Sequence, residues 1–187
     1  MSVLDRQNDI LRAACRVITD RGADRMRMSD VAREADVSSA LVHYYFATRS
    51  EVLSRAFEYA DREVEEHISR LLERCETPRE RVSCVLVSYL ADETPVAQNW
   101  VVWAEMLRAS LYDTTVRPAV AASYEGWIAQ VASELEACSA SIADSTGAAT
   151  RLCALVDGLG EQRRVRDLTI TAARTFVEVA IDREIAA

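Results

Sequence analysis

Residues 27–46 read RMSDVAREADVSSALVHYYF, and this stretch decides the fold. Its pattern predicts two short helices, over residues 28–35 and 39–45, joined by a turn at residues 36–38. Helices this short are not stable alone, so they must pack on a neighbour. The side chains predicted to face inward are Val31, Ala32, Ala35, Val37, Val42 and Phe46. The stretch therefore predicts a helix-turn-helix packed on the helix that precedes it.

The second short helix has the properties of a helix that reads DNA. Ser38 is its predicted N-cap, and short side chains at its start let the backbone approach base edges in a major groove. Three consecutive rings, from His43 to Tyr45, cannot all face one core, which argues against the alternative of an ordinary helical hairpin. The predicted DNA contacts are Arg27, Ser38, Ser39, Ala40, Leu41, His43, Tyr44 and Arg49.

Four of the eight predicted contacts have a specific chemical reason. Hydroxyl groups such as those of Ser39 and Tyr44 bond base or phosphate oxygens, and Leu41 suits a thymine methyl group. Arg49 opens the next helix, where its charge and the unpaired backbone N–H groups suit a phosphate.

The rest of the chain predicts an all-α fold of about nine helices. Only 5 Gly and 3 Pro interrupt 187 residues, and no segment alternates with the period of a strand. The remaining helices are predicted near residues 5–21, 49–75, 78–90, 95–112, 120–135, 147–160 and 166–185. We expect a helix-turn-helix DNA-binding domain over residues 1–47 and a second helical domain over residues 48–187.

The last predicted helix is apolar on two sides. One stripe holds Leu168, Ala172, Phe176 and Val179, and the other holds Ile170, Ala173, Val177 and Ile181. One stripe can face the chain's own core, while the other predicts an oligomer surface. The alternative is a helix that lies centrally within its own domain.

Charge and cysteine content restrict the class of protein. The net charge of −8 argues against nucleic acid, but residues 1–50 hold 8 Arg against 7 acidic residues, so the acidity lies in residues 51–187. Five scattered cysteines predict buried reduced thiols rather than a disulfide framework or a zinc site. The sequence lacks a signal peptide pattern and a long apolar run, so we expect a cytoplasmic protein without a membrane partner.

Residues 10–53 resemble the DNA-binding segment of the TetR family of transcriptional regulators. The resemblance lies in the residues 10–14, Gly22, the stretch VAREADVS at 31–38, the stretch HYYF at 43–46 and the stretch RSEVL at 49–53. Residues 155–159 also resemble the family's eighth helix. The chain departs from the family pattern where Arg27 replaces a Thr, Asp36 replaces a turn Gly, and His43 and Tyr44 are exchanged.

The resemblance implies a homodimer that binds a palindromic double-stranded DNA operator and is released by an unknown small-molecule effector. It also implies that residues 48–187 form a ligand-binding and dimerisation domain, with the last two helices as the dimer interface. The run from Trp100 to Trp127 is similar to the choline-responsive betaine regulators of the family, and two aromatic i, i+3 pairs suit a quaternary ammonium ion. The predicted effector-binding residues are Tyr89, Trp100, Trp103, Met106, Tyr124 and Trp127. Plain core packing is the alternative for each.

Two further acidic residues, Glu105 and Asp113, are either counter-charges for a cation or solvated helix charges. The rival functions are a small-molecule-binding helical protein and an enzyme without DNA binding. Only two His occur, and the sequence has no HExxH, GxSxG or phosphate-loop motif. We therefore predict no catalytic residues, no metal site and no cofactor.

Overall fold

The computed structural model describes residues 3–92, 96–139 and 142–186, with the side chains of residues 3 and 4 left out. Across these ranges the chain forms nine α-helices, a 3-10 helix and no strand, which confirms the all-α prediction. The helices are α1 (Val3–Arg21), a 3-10 helix (Ala23–Arg25), α2 (Met28–Glu34), α3 (Ser39–Tyr45), α4 (Arg49–Leu72), α5 (Pro78–Ser88), α6 (Val96–Ser110), α7 (Arg117–Cys138), α8 (Ser145–Val165) and α9 (Ile170–Ala186).

Helix ends follow the predictions where local caps act and depart from them elsewhere. Helix α5 begins at Pro78 with a capping box between Thr77 and Glu80. The predicted end of α8 at Gly160 is wrong, because the helix continues to Val165. A helical glycine costs only about 1 kcal/mol, and Gly160 is buried in the packed core, so tertiary contacts outweigh it. Pro95, expected to open α6, lies outside the described residues.

The contacts divide the chain into two compact units. Unit 1 comprises residues 1–65 and 97–123, and unit 2 comprises residues 66–96 and 124–187. The expected division at residues 47 and 48 follows function rather than contacts and stays a prediction. No helix among the described residues is long and apolar enough to cross a membrane.

Unit 1 is built around the interface of α1 with α2, which in turn packs on α3. Ile10, Ala14 and Ile18 of α1 are completely buried there. The Cys15 thiol donates a hydrogen bond to the Ala56 carbonyl oxygen at 3.3 Å, and the Arg12 Nε donates to the Tyr59 hydroxyl at 3.2 Å. These bonds attach α1 to α4, and α1 in turn packs against α2, the first of the two short helices.

Unit 2 packs α5, α8 and α9 against one another. On α9, Ala173, Val177 and Ile181 are buried, whereas Phe176 remains 54% and Val179 46% exposed. The two-sided pattern is thus confirmed over residues 172–181, and α9 does not lie centrally within its domain. The prediction is wrong at the start of the helix, because Leu168 precedes α9 and Ile170 is 37% exposed. One stripe faces the core of the unit, and the other leaves large apolar side chains in solvent.

Candidate functional site

The turn between α2 and α3 sets the direction of the second helix. Asp36 adopts a positive φ of 54°, a left-handed conformation that few residues other than glycine tolerate. The Val37 N–H then donates to the Ala32 carbonyl oxygen at 2.9 Å. Ser38 caps α3, because its hydroxyl oxygen accepts from the Leu41 N–H at 3.2 Å. The predicted roles of Asp36 and Ser38 are both observed.

Helix α3 buries one narrow face and presents the other to solvent. Val42 of α3 and Phe46, which follows the helix, are buried in the core of unit 1. Ser38, Ser39, Ala40, His43 and Tyr44 are exposed, while Leu41 and Tyr45 are half-buried. Tyr44 is 79% exposed and rests edge-on against Tyr45, with ring centroids 5.2 Å apart. An exposed polar and aromatic helix face without an internal role is the form of a surface that binds a partner.

A buried carboxylate stiffens the base of this surface. Asp30 on α2 is 8% exposed and lies 3.0 Å from an Arg21 nitrogen and 2.7 Å from an Arg33 nitrogen. Both arginines are largely exposed, so their outer edges remain open to solvent. Arg27 is also exposed, and no hydrogen bond or ion pair engages its guanidinium within the described residues.

The Arg49 side chain forms hydrogen bonds to the backbone that sequence reasoning missed. Its Nε donates to the Met26 carbonyl oxygen at 3.0 Å, and its Nη2 donates to the Ala23 carbonyl oxygen. The guanidinium therefore fastens the start of α4 to the loop before α2. These two bonds favour a structural role for the side chain, and the phosphate contact of Arg49 stays a prediction.

Glu105 of α6 was expected to be either a counter-charge for a cation or a solvated charge, and its contacts show a third role. Its carboxylate accepts from the Ala23 N–H at 2.6 Å, directly after Gly22 at a φ of 83°. A Cβ at Gly22 would lie 3.1 Å from that carboxylate oxygen. Arg108 joins Glu105 to Asp24 at 3.3 Å and 2.8 Å. Helix α6 is thereby tied to the 3-10 helix, a long-range contact with no signal in the local sequence.

Unit 2 brings three of the six predicted effector residues together. Tyr89, the C-cap of α5, packs against Trp127 of α7 with ring centroids 4.6 Å apart and an interplanar angle of 46°. Tyr124, one turn before Trp127, donates its hydroxyl to the Asp157 carboxylate on α8 at 3.0 Å. Within the described residues the buried Trp127 Nε1 has no hydrogen-bond partner. We call Tyr89, Tyr124, Trp127 and Asp157 the aromatic–acid cluster.

Asp157 gives this cluster a negative charge in an environment of low polarity. Burial raises the pKa of Asp157 to about 6, although the hydrogen bond from Tyr124 opposes that rise. Burial and the neighbouring carboxylate both raise the pKa of Tyr124. Near neutral pH the cluster therefore pairs aromatic faces with a partly desolvated carboxylate, which is chemistry suited to an organic cation. Sequence reasoning missed Asp157, and the stretch LVDGL contains the only signal, an acid among apolar residues.

The other three predicted effector residues belong to unit 1. Trp100 and Trp103 on α6 are half-buried, whereas Met106 is completely buried. The neighbouring Asn99 is buried, and its Oδ1 has no hydrogen-bond partner within the described residues. Burial also raises the pKa of Asp61 on α4, with a hydrogen bond from Ser123 opposing the rise. The effector role of these residues stays a prediction.

Comparison with family models assigns both ends of the chain. Residues 10–56 match the bacterial regulatory proteins of the tetR family, and residues 78–186 match the C-terminal domain of BetI-type transcriptional repressors. The second match alone covers more than half of the 187 residues. It spans α5 to α9, and hence the helices that hold the aromatic–acid cluster.

Curated relatives match part of the chain. The HTH-type transcriptional regulator BetI of Rhizobium meliloti is 36% identical over 89 residues, covering 47% of this chain and 44% of that protein. BetI of Brucella anthropi is 32% identical over 97 residues, covering 49% of this chain and 50% of that protein. The alignments span about half the length of these curated relatives.

Solved structures match nearly the whole chain. A TetR-family transcriptional regulator from Rhodococcus sp. superposes with a TM-score of 0.87 and 26% identity, covering 97% of this chain and 99% of that one. A transcriptional regulator from Saccharomonospora viridis, solved in complex with choline, superposes with a TM-score of 0.84 and 25% identity, covering 97% of each chain.

Proposed function

This chain belongs to the TetR family of bacterial regulatory proteins, and we propose that it is a ligand-responsive transcriptional repressor. The observation that supports this most directly is the exposed face of α3 on a capped helix-turn-helix. Family members and relatives are regulators rather than enzymes, so we propose no catalytic role. Chromosomal DNA as the partner also implies a cytoplasmic protein.

Operator recognition is proposed to use α3 in the major groove. Ser39, Ala40 and Leu41 at its start let the helix sit deep, and Tyr44 presents a largely exposed ring. Arg27 is placed before α2 with its charge unpaired among the described residues, which suits a phosphate. Ser38 accepts the capping bond from the Leu41 N–H, and its exposed hydroxyl is proposed to donate its O–H to a phosphate oxygen of the DNA backbone.

The test is selection of bound DNA fragments by the purified protein, followed by a mobility-shift titration at fixed salt. Tyr44→Ala is expected to weaken binding to the selected operator. Tyr112→Ala is the matched control, since Tyr112 is also a highly exposed tyrosine of unit 1 but lies outside α3. Failure of the protein to prefer any fragment over bulk competitor DNA would refute the proposed function.

Dimerisation is proposed through α8 and α9. The exposed apolar stripe with Phe176 and Val179 needs a cover, and a second copy of the chain supplies the same stripe. A two-fold axis between two reading heads then requires a palindromic operator with half-sites about 34 Å apart or a multiple of that distance. Equilibrium sedimentation of the native protein against Phe176→Glu measures this interface directly.

The effector is proposed to be a quaternary ammonium compound of the choline class, bound at the aromatic–acid cluster. Support comes from the Tyr89–Trp127 ring contact, the half-buried Asp157 carboxylate, and the choline bound in the Saccharomonospora viridis structure. A cation pairs favourably with ring faces and with a desolvated carboxylate, whereas a neutral molecule of the same shape lacks both interactions.

Calorimetric titration separates charge from shape. Choline is compared with 3,3-dimethylbutan-1-ol, its uncharged carbon analogue, on the native protein and on Asp157→Asn. We expect choline to bind the native protein at least tenfold more tightly than the analogue, and we expect Asp157→Asn to remove most of that preference. Equal affinities for the two compounds would exclude a cation site.

Release of DNA requires that the effector bind the two states of the protein with different affinity. Glu105 offers a physical connection, because it holds α6 to the 3-10 helix that precedes α2. We propose that the effector acts by changing this contact. A Glu105→Ala variant that binds operator normally but is no longer released by effector would support that route.

A further inference from the structure

Unit 2 has a surface groove of about 820 Å³ at the end of α4, along α5 and beside the start of α9. Two of its lining residues are Cys75 and Cys84. The sequence predicts buried thiols, which holds for Cys15 and Cys153 but not for Cys75, Cys84 and Cys138. These three are half-buried, because the cysteines face helix edges rather than the centre of a core.

The thiols of Cys75 and Cys84 touch each other. Cys75 follows the last turn of α4, and its Sγ donates to the Leu71 carbonyl oxygen at 3.7 Å. Cys84 lies in the second turn of α5, where its thiol forms a side-chain hydrogen bond with that of Cys75. Two thiols that share a hydrogen bond on the wall of one groove are neighbours, and a disulfide requires such proximity. Nothing in the proposed DNA or effector site uses either cysteine.

Several charges surround the pair. Burial and the adjacent Cys75 thiol raise the pKa of Cys84, whereas the Ser88 hydroxyl and the Arg174 guanidinium oppose that rise. Arg81 also lies close to both thiols, with its guanidinium fixed by two bonds of 2.6 Å and 2.7 Å to Glu134. Since a thiolate is the reactive form, the raised pKa of Cys84 disfavours Cys84 as the first thiol to react.

We propose that Cys75 and Cys84 form a redox-active dithiol, which a hydroperoxide oxidises to an intramolecular disulfide. The Cys75 thiolate attacks a peroxide oxygen, forming an S–O bond while the O–O bond breaks, and with hydrogen peroxide the leaving hydroxide takes a proton as water. The Cys84 thiolate then attacks the sulfenic sulfur, the S–S bond forms, and the S–O bond breaks to release a second water. Two thiols lose two electrons and two protons, and a thiol reductant restores them.

The disulfide links the end of α4 to α5 across the two connecting residues before Pro78. It lies on the wall of the groove, so both oxidant and reductant reach it from solvent. The site is independent of the proposed operator and effector binding. Its failure would leave those functions intact, and their failure would leave the dithiol intact.

The test treats the full-length native protein with hydrogen peroxide, quenches with an alkylating reagent and maps peptides without reduction. We expect loss of two of the five thiols per chain, a peptide containing Cys75 linked to one containing Cys84, and full reversal by dithiothreitol. Peptide mapping of the native protein needs no variant, so it remains decisive even where a substitution prevents folding.

Three substitutions sharpen the result. Cys75→Ser and Cys84→Ser are each expected to abolish the linked peptide, while Cys138→Ser, which removes the third half-buried thiol, is expected to leave it unchanged. The proposal is overturned by links that involve Cys138 or join two chains. It is also overturned if no link forms at peroxide concentrations that fully oxidise free cysteine in the same sample.

Discussion

The exposed face of α3 that we propose to read DNA, here called the reading surface, and the aromatic–acid cluster in unit 2 are built on opposite principles. The reading surface is local, since residues 36–46 supply its turn, its cap and its exposed face. The aromatic–acid cluster joins α5, α7 and α8, and its Tyr124 and Asp157 stand 33 positions apart. The first keeps polar groups in water, while the second buries a carboxylate. The proposed DNA contacts thus lie in solvent, and the proposed effector contacts lie where low polarity strengthens a charge.

The largest change in the free energy of unfolding is expected from a buried residue beneath the reading surface rather than from an exposed residue on it. Phe46 is 1% exposed and is among the largest completely buried side chains. Phe46→Ala should lower the free energy of unfolding by about 3–5 kcal/mol, since it leaves a cavity. Urea denaturation measures this loss. Tyr44→Ala is the control in the same region, and a change beyond about 0.5 kcal/mol there would contradict an exposed, functional role.

Asp157→Asn is expected to produce the next largest change in the free energy of unfolding, and this change is an increase. The raised pKa of Asp157, about 6, means that ionisation opposes folding: the stability present below about pH 4 is lost as the pH rises through 6. The variant should therefore unfold less readily than the native protein at pH 8, by up to about 3 kcal/mol, and equally at pH 4. Thermal unfolding at both pH values checks this. A variant that is less stable at pH 8 would contradict the assigned burial of charge.

The same ionisation should appear in effector binding. Choline affinity of the native protein is expected to fall as the pH drops through about 6, because protonation neutralises Asp157. Titration calorimetry from pH 5 to pH 8 measures this dependence, with Asp157→Asn as the control that lacks it. An affinity independent of pH in the native protein would place the cation elsewhere.

Tyr44→Ala should weaken operator binding by about 1–3 kcal/mol without changing stability, which separates function from folding within one helix. The exposed Tyr112 provides the matched control. Mobility-shift titrations of both variants at the same salt concentration decide the matter. If Tyr112→Ala weakens binding equally, the face of α3 is not the reading surface.

The smallest effect is expected at the contact between α6 and the 3-10 helix. Glu105→Gln keeps an acceptor for the Ala23 N–H but loses the charge that pairs with Arg108. Glu105→Ala loses both and should cost about 1 kcal/mol more than the glutamine variant. Chemical denaturation of the two variants side by side measures the difference. Identical stabilities would show that the bond to Ala23 contributes little.

The sequence alone determined the features that depend on neighbours along the chain. The bounds of α3, the Ser38 cap, the left-handed Asp36 and the division of α9 into a buried and an exposed stripe all follow from helix periodicity and terminal hydrogen bonding. These effects are local, because residues close together along the chain cause them.

Only the tertiary structure decided which distant groups meet. Glu105 accepts from a backbone N–H 82 positions away, Asp157 accepts from Tyr124, and the Cys75 and Cys84 thiols share a hydrogen bond. Helix packing places such groups together, and a sequence pattern records only which face a residue occupies, not which face of another helix lies opposite it. Burial then sets the charge of Asp157, because desolvation depends on everything packed around the carboxylate rather than on its neighbours in the chain.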